Sequence, residues 1–215
     1  MSTYVIVDLE MCKIPLSKQP KHYELKNELI QIGAVRLDEK YEITDEFKTY
    51  VRPVFGTIDK YIEKLTGISP AHVKDAPEAK EALEAFLAWL PEDAVLVSWS
   101  DNDERQIRKE TACKNISLPR MEALLDTWVD CQKTFGEKMD SPKTYALSEA
   151  LNIAGIFYED GAHDALVDAH NTALLFAKMN AEGGMKLSPY YTDENHAAHL
   201  THNPFAALLK NYKFA

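Results

Sequence analysis

The strongest constraint on this chain is a short apolar run, Tyr4-Val5-Ile6-Val7, that ends in two acids, Asp8 and Glu10. It is too short for a helix and rich in β-branched side chains, so residues 3–10 read as a strand buried on both faces. Such a strand needs a sheet with covering layers, and the rest of the chain supplies them. LIQIGAVRL (29–37) and the extended stretch EITDEFKTYVRP, stopping at Pro53, read as two further strands joined through an Asp38-Glu39-Lys40 turn. DKYIEKLTGI reads as a short helix closed by Gly67, and Ser69-Pro70 opens another turn. Over residues 77–90, Ala79, Ala82, Leu83, Phe86, Leu87 and Leu90 keep the three-and-four spacing of one buried helical face. AVLVSW (94–99) reads as a buried strand, 103–114 as a helix, 124–129 as another short strand, and 144–154 and 162–180 as helices, the last ended by Gly183-Gly184. Three strands followed by alternating helices and strands predict an α/β fold, a mixed β-sheet flanked by helices. Residues 1–182 form the expected domain, and 183–215 a C-terminal extension with a short helix over 204–211.

Composition narrows the function classes. The 215 residues are 46% hydrophobic and 27% charged, the balance of a soluble globular protein. The formal charge of -10 has the wrong sign for holding nucleic acid by bulk attraction. A polyanion partner therefore needs local help, from bound divalent cations among clustered carboxylates or from basic stretches that the sum conceals. Cys12, Cys113 and Cys131 lack paired spacing, so neither a disulfide framework nor a zinc knuckle is expected. The start of the chain has no basic leader, and no apolar run approaches membrane-spanning length, so the expectation is a cytoplasmic protein with no membrane partner.

Three acid groups carry the chemistry. Asp8 and Glu10 are two apart at a strand end, and strand alternation projects both from one face. Alone, the pair fits a solvated strand end as well as a divalent-cation site. A second group, WSDNDERQI, follows the strand AVLVSW, at the sheet end where α/β folds bind ligands. There Asp101 fits a helix cap, and Asp103, in the first turn, is placed to reach back toward Asp8. In the third, HDALVDAHNTALLF, Asp168 shares a helix side with Ala165, Thr172 and Leu175, and a buried acid needs a partner. His163, five positions earlier, is too far round a regular helix to share that side but within reach from the preceding loop.

VDLE, WSDND and HDALVDAHNTA stand in the order and approximate spacing of the three motifs of the DEDDh 3'-5' exonucleases, the proofreading-exonuclease or RNase T superfamily. The chain resembles that family over about residues 3–179, with ELIQIGAV after the first motif and the TGIS turn agreeing as well. The loop after motif one and the W-x-x-x-D form of motif two look most like the branch of the ERI-type RNA exonucleases and KapD. The resemblance implies a ribonuclease H-like fold, with Asp8, Glu10, Asp103 and Asp168 as ligands of two Mg²⁺ or Mn²⁺ ions. It also implies His163 as general base, Glu10 in the catalytic set, and Leu9 and Met11 as contacts of the terminal nucleotide. Where a sister group has tyrosine four residues before the last aspartate, this chain has Asp164, which argues for the histidine class. It departs from the family at Met11-Cys12, where many relatives carry threonine.

The activity so implied is release of nucleoside 5'-monophosphates from single-stranded 3' ends, with RNA favoured over DNA. Two other classes fit the sequence: a phosphodiesterase of small oligonucleotides or nucleotides, and a non-catalytic interaction module on the same fold. Lys13, Lys18, Lys21, His22 and Lys26, and further on Lys133, Lys138 and Lys143, are local basic excesses that suit either a phosphate track or ordinary solvated surface. Trp99, Trp128 and Tyr145 suit the core more readily than base stacking. Cys113 and Cys131 read as buried small residues. His196, His199 and His202 are assigned no role.

Overall fold

The computed structural model describes residues 2–21, 23–157, 163–188 and 191. The chain begins with strand β1 (Thr3–Lys13), continues into β2 (Asn27–Leu37) and β3 (Ile43–Tyr50), and then forms helices α1 (Lys60–Thr66), α2 (Pro70–Val73) and α3 (Ala79–Trp89). Strand β4 (Ala94–Ser98) leads into α4 (Asn102–Cys113) and α5 (Pro119–Leu125), and β5 (Val129–Asp130) into α6 (Cys131–Lys138), α7 (Leu147–Ala154) and α8 (Ala165–Asn180). The sheet order is β3-β2-β1-β4-β5. The first three strands are antiparallel neighbours, while β1 with β4 and β4 with β5 run parallel, which makes the sheet mixed.

Alternation along β1 divides the core. Val5, Val7 and Leu9 pack on one face with α3, α4 and α5, while Ile6 faces the other side, where α6, α7 and α8 lie. Asp8 and Glu10 continue the Ile6 face, so the two acids point toward the layer that contains α8. Among the described residues no helix is long and apolar enough to cross a membrane.

The largest departure from the sequence reading lies at residues 119–130. The expected strand over 124–129 is instead the end of α5 and a two-residue β5. Pro119 at the first turn and Met121, Leu124 and Leu125 at helical spacing form a buried helix face, and a short apolar run alone does not distinguish that from a strand. Strand β1 runs on to Lys13, with a register irregularity between Glu10 and Met11. The Ser69-Pro70 turn develops into α2, and Gly67 closes α1 with φ of 70° as expected. The expected helix over 204–211 and the histidines at 196, 199 and 202 lie outside the described residues, as does His22.

A buried ionic cluster fastens β2 to α4. Glu28 and Glu110 both pair with Lys114, at 2.7 and 2.6 Å. Glu28 also accepts the backbone N–H groups of Val54, Phe55 and Gly56, and Glu110 accepts those of Leu29 and the Gln106 side chain. Burial pushes Glu28 up, but Lys114 and the Gly56 and Phe55 amides outweigh it and hold the carboxyl below its ordinary value.

Candidate active site

Register across β1 and β2 builds the floor of the site. Asp8 lies opposite Gly33 and Glu10 opposite Gln31. Gly33 brings no side chain, and the start of α8 occupies the space one would fill. A Cβ built there would lie 2.3 Å from the backbone of Ala165 and Leu166. Gln31 fixes the same end of the helix, its Oε1 accepting the Ala165 N–H at 2.8 Å. With the helix seated against the sheet, Asp168 in its first turn arrives beside the strand acids, at the helix end whose dipole favours a carboxylate. Asp164 is the N-cap, accepting the Leu166 N–H at 3.0 Å. His163 precedes it with φ of 67°, and donates its backbone N–H to Asp168 Oδ2 at 2.9 Å. Ligand atoms of Glu10, His163 and Asp168 all lie within 4.8 Å of one another.

Asp103 reaches the site from the neighbouring parallel strand. The chain leaves β4, turns through Ser100 and Asp101 and enters α4, and Asp103 Oδ1 accepts the Leu9 N–H at 3.1 Å. The Leu9 amide is thereby committed to a site carboxylate. Ser98, fully buried at the end of β4, accepts from Trp128 Nε1 at 2.8 Å, and its single hydroxyl proton has two acceptors, the Ser100 carbonyl at 2.5 Å and the Asp103 side chain. Asp101 takes the N-cap position of α4 as expected, but its side chain makes no capping hydrogen bond; the carboxylate pairs instead with Arg105 one turn on, at 2.6 Å. The residues sequence reasoning missed are thus supporting ones: Gln31, Gly33, Ser98 and Trp128. A buried serine in an apolar strand and a glycine inside a strand were the available signals.

Asp8, Glu10, Asp103, Asp168 and His163 line one cavity of about 500 Å³, with Leu9 and Met11 on its wall and Ala146, Leu147 and Ser148 of the α7 start opposite. Its electrostatics are unfavourable without a cation. Burial, then Asp103, Asp168 and Glu10, push the Asp8 carboxyl well up. Burial, then Asp168 and Asp103, push Glu10 from 4.5 to about 8. Burial raises Asp103 from 3.8 to about 7 even though the Leu9 amide and Ser98 favour its ionised form. Hard oxygen donors that repel one another around one cavity are a donor set suited to a hard divalent cation.

Of the other candidates, Trp99 lines this cavity as well, whereas Lys18, Lys143 and Tyr145 are not among its lining residues. Lys18 donates to Thr57, and Lys143 pairs with Glu149 and sits over the Tyr145 ring. Trp99 and Tyr145 are core residues against Phe135. Cys131 is fully buried, whereas Cys113, expected to be buried, is partly exposed because it ends α4 at the surface.

Comparison with known proteins gives the family and the fold. The RNase T family of exonucleases matches residues 5–176. DNA polymerase III subunit epsilon of Aquifex aeolicus is 31% identical over 193 residues, covering 88% of this chain and 87% of that one. DNA polymerase III PolC-type of Caldanaerobacter subterraneus is 34% identical over 155 residues, 72% of this chain and 10% of its own length. Human ERI1 exoribonuclease 2 is 29% identical over 187 residues, 76% of this chain and 26% of that one. The chain therefore spans only a small part of these last two relatives. Among solved structures, the nuclease domain of 3'hExo, a DEDDh family member bound to rAMP, superposes with a TM-score of 0.72 at 22% identity, covering 87% of this chain and 96% of that one. The fold is that of these nucleases, and the match over residues 5–176 makes this chain a member of the RNase T family of exonucleases.

Proposed function

We propose that the protein is a metal-dependent 3'-5' exonuclease that removes nucleoside 5'-monophosphates one at a time from single-stranded 3' ends, RNA in preference to DNA. The observation that carries this reading is the cavity in which three strained carboxylates, Asp168 and the His163 imidazole converge. Asp8, Glu10, Asp103 and Asp168 would hold two divalent ions. When bound, such ions offset the carboxylate charge, make water a stronger acid and stabilise charge on a departing 3' oxygen.

The chain's own residues supply the rest. His163 stands exposed at the cavity edge, where its imidazole accepts the proton of the attacking water. Its position five residues ahead of Asp168 places base and ligand on one rigid loop-helix junction. Leu9 and Met11 border the cavity together with Leu147; the Leu9 side chain is buried on the other sheet face, so Leu9 offers only its backbone and the Met11 side chain is the apolar contact for the last nucleoside. Preference for RNA is supported by the likeness to ERI1 exoribonuclease 2 and by the fold shared with an rAMP-bound nuclease domain.

The test is incubation of 5'-labelled RNA and DNA oligomers of matched sequence, in a length series, with Mg²⁺ or Mn²⁺. Stepwise shortening of the labelled strand, faster for RNA, abolished by EDTA and resisted by a 3'-phosphate, is the expected result. Persistent hydrolysis in EDTA, early internal cuts, or activity confined to dinucleotides would overturn it. His163→Ala is expected to lower turnover by about 10² to 10⁴ while metal binding persists.

A further inference from the structure

Strand β3 is the edge of the sheet next to β2, and it holds the flank of α8 with two polar side chains on one face. Lys48 Nζ lies 2.5 Å from Asp164 Oδ2, and Glu46 Oε1 lies 2.8 Å from His170 Nε2. Between them Phe47 turns to the opposite face and packs on Phe86 and Trp89. Lys48 stands opposite Gly33, which stands opposite Asp8, so a single row across three strands runs from the floor of the site to this lysine. The close seating of α8 over Gly33 brings Asp164 within reach of the row's outer end.

Asp164 is held at both carboxylate oxygens, by the Leu166 N–H on Oδ1 and by Lys48 on Oδ2. The residue before it is His163, whose φ of 67° lies in the left-handed region, a conformation unfavourable for a residue with a Cβ that persists only when its surroundings dictate it. The His163 side chain is exposed, so packing does not orient it. Its direction is set by the backbone, held on one side by Asp168 accepting its N–H and on the other by the doubly anchored Asp164. We propose that Lys48 is a positioning residue for His163: by fixing Asp164 it locks the backbone turn that aims the imidazole at the cavity. This rests on the reading of His163 as the general base. An ion pair this exposed contributes little to global stability, but holding one turn in place asks for little. The return is large, because a misplacement of about 1 Å in a catalytic group costs up to roughly 10²-fold in rate.

The test is a double-mutant cycle on the full chain with a single-stranded RNA oligomer and saturating Mg²⁺, using Lys48→Met, His163→Ala, the pair together, and Lys48→Arg. Lys48→Met is expected to lower kcat by about tenfold with KM within about twofold, Lys48→Arg to restore most of the loss, and Lys48→Met to add nothing once His163 is alanine. An imidazole ¹H–¹⁵N spectrum without metal gives a readout independent of turnover: the His163 signal is expected to move in Lys48→Met and return in Lys48→Arg. Additive effects, a raised KM at unchanged kcat, which marks a phosphate contact, or an unmoved His163 signal each overturn the positioning role alone. Near-parental turnover of His163→Ala overturns the base assignment, and the positioning role with it. Melting curves exclude trivial unfolding, and Lys48→Gln, which keeps the length of the stem, repeats the cycle if Lys48→Met proves unstable.

Discussion

Four residues apart along β1, two groups of acids meet the same electrostatic problem. At the Cys12–Glu28 rung, Glu28 and Glu110 share Lys114 and a set of backbone and side-chain donors; Glu28 stays readily ionised, while burial pushes Glu110 up against the opposing pull of Lys114, Gln106 and the Leu29 amide. At the Asp8–Gly33 rung, burial and neighbouring acids dominate, and Asp8, Glu10 and Asp103 are all driven toward the protonated form. The first group is complete within the protein. The second is arranged at a standing cost that folding does not repay, which is the pattern of a site built for an outside cation. Acidity alone therefore does not mark function; what marks it is the lack of compensation among those leading influences.

The sharpest way to break this comparison is to neutralise one member of each group. Asp8→Asn is expected to lower hydrolysis by roughly 10³-fold, on the scale of losing an electrostatic centre, while raising the metal-free melting temperature because a repelled charge is gone. Lys114→Met is expected to do the reverse, destabilising by about 3–5 kcal/mol in urea unfolding through two unpaired buried carboxylates, with kcat of the folded fraction unchanged. If both substitutions shift stability in the same direction, the two groups do not differ as described.

The dependence on pH sharpens it further. For Glu10, raised from 4.5 to about 8, and Asp103, raised from 3.8 to about 7, the folded state keeps protons that the unfolded chain has released. Their contribution to stability is full below the unfolded values and lost as pH rises through the folded ones. Metal-free protein should therefore melt progressively lower between about pH 5 and about pH 8. Glu28, with its lowered pKa, works in the other sense: its contribution is present above 4.5 and is lost only as pH falls through its folded value. Mg²⁺ at about a hundredfold excess over its Kd should restore about 2.7 kcal/mol, and more at about pH 8 than at about pH 5, since the ligands must be deprotonated. Melts with Mg²⁺ or EDTA across that range check both signs. The smallest effect is expected for Asp101→Ala, which lies in the same WSDND segment but pairs only with Arg105: about 0.3–0.5 kcal/mol, with activity unchanged.

The distinction between these groups was only half legible in the sequence. Alternation put Asp8 and Glu10 on one face, helical spacing put Asp168 among buried neighbours, and the five-residue separation put His163 in the loop before α8. Each of those inferences is local. Glu28 and Glu110 passed without notice because their shared lysine belongs to another element and only the fold brings the three together. Gly33 was read only as part of its strand, since nothing local says that α8 approaches it, and the Trp128–Ser98–Asp103 link spans β4, the β5 approach and α4. The misread strand over 124–129 failed for a different reason: a short apolar run leaves strand and helix periods indistinguishable until Pro119 is read as a first-turn residue.

The contact between Gly33 and the start of α8 has a consequence for the chain during synthesis. Two carboxylates of the site are made early, on β1, but the helix that completes it comes more than 150 residues later and docks backbone to backbone, with no side chain at Gly33 to hold a partial arrangement. A growing chain thus carries the β1 acids without His163 or Asp168. The acid cluster is completed in one late step, when α8 docks on Gly33.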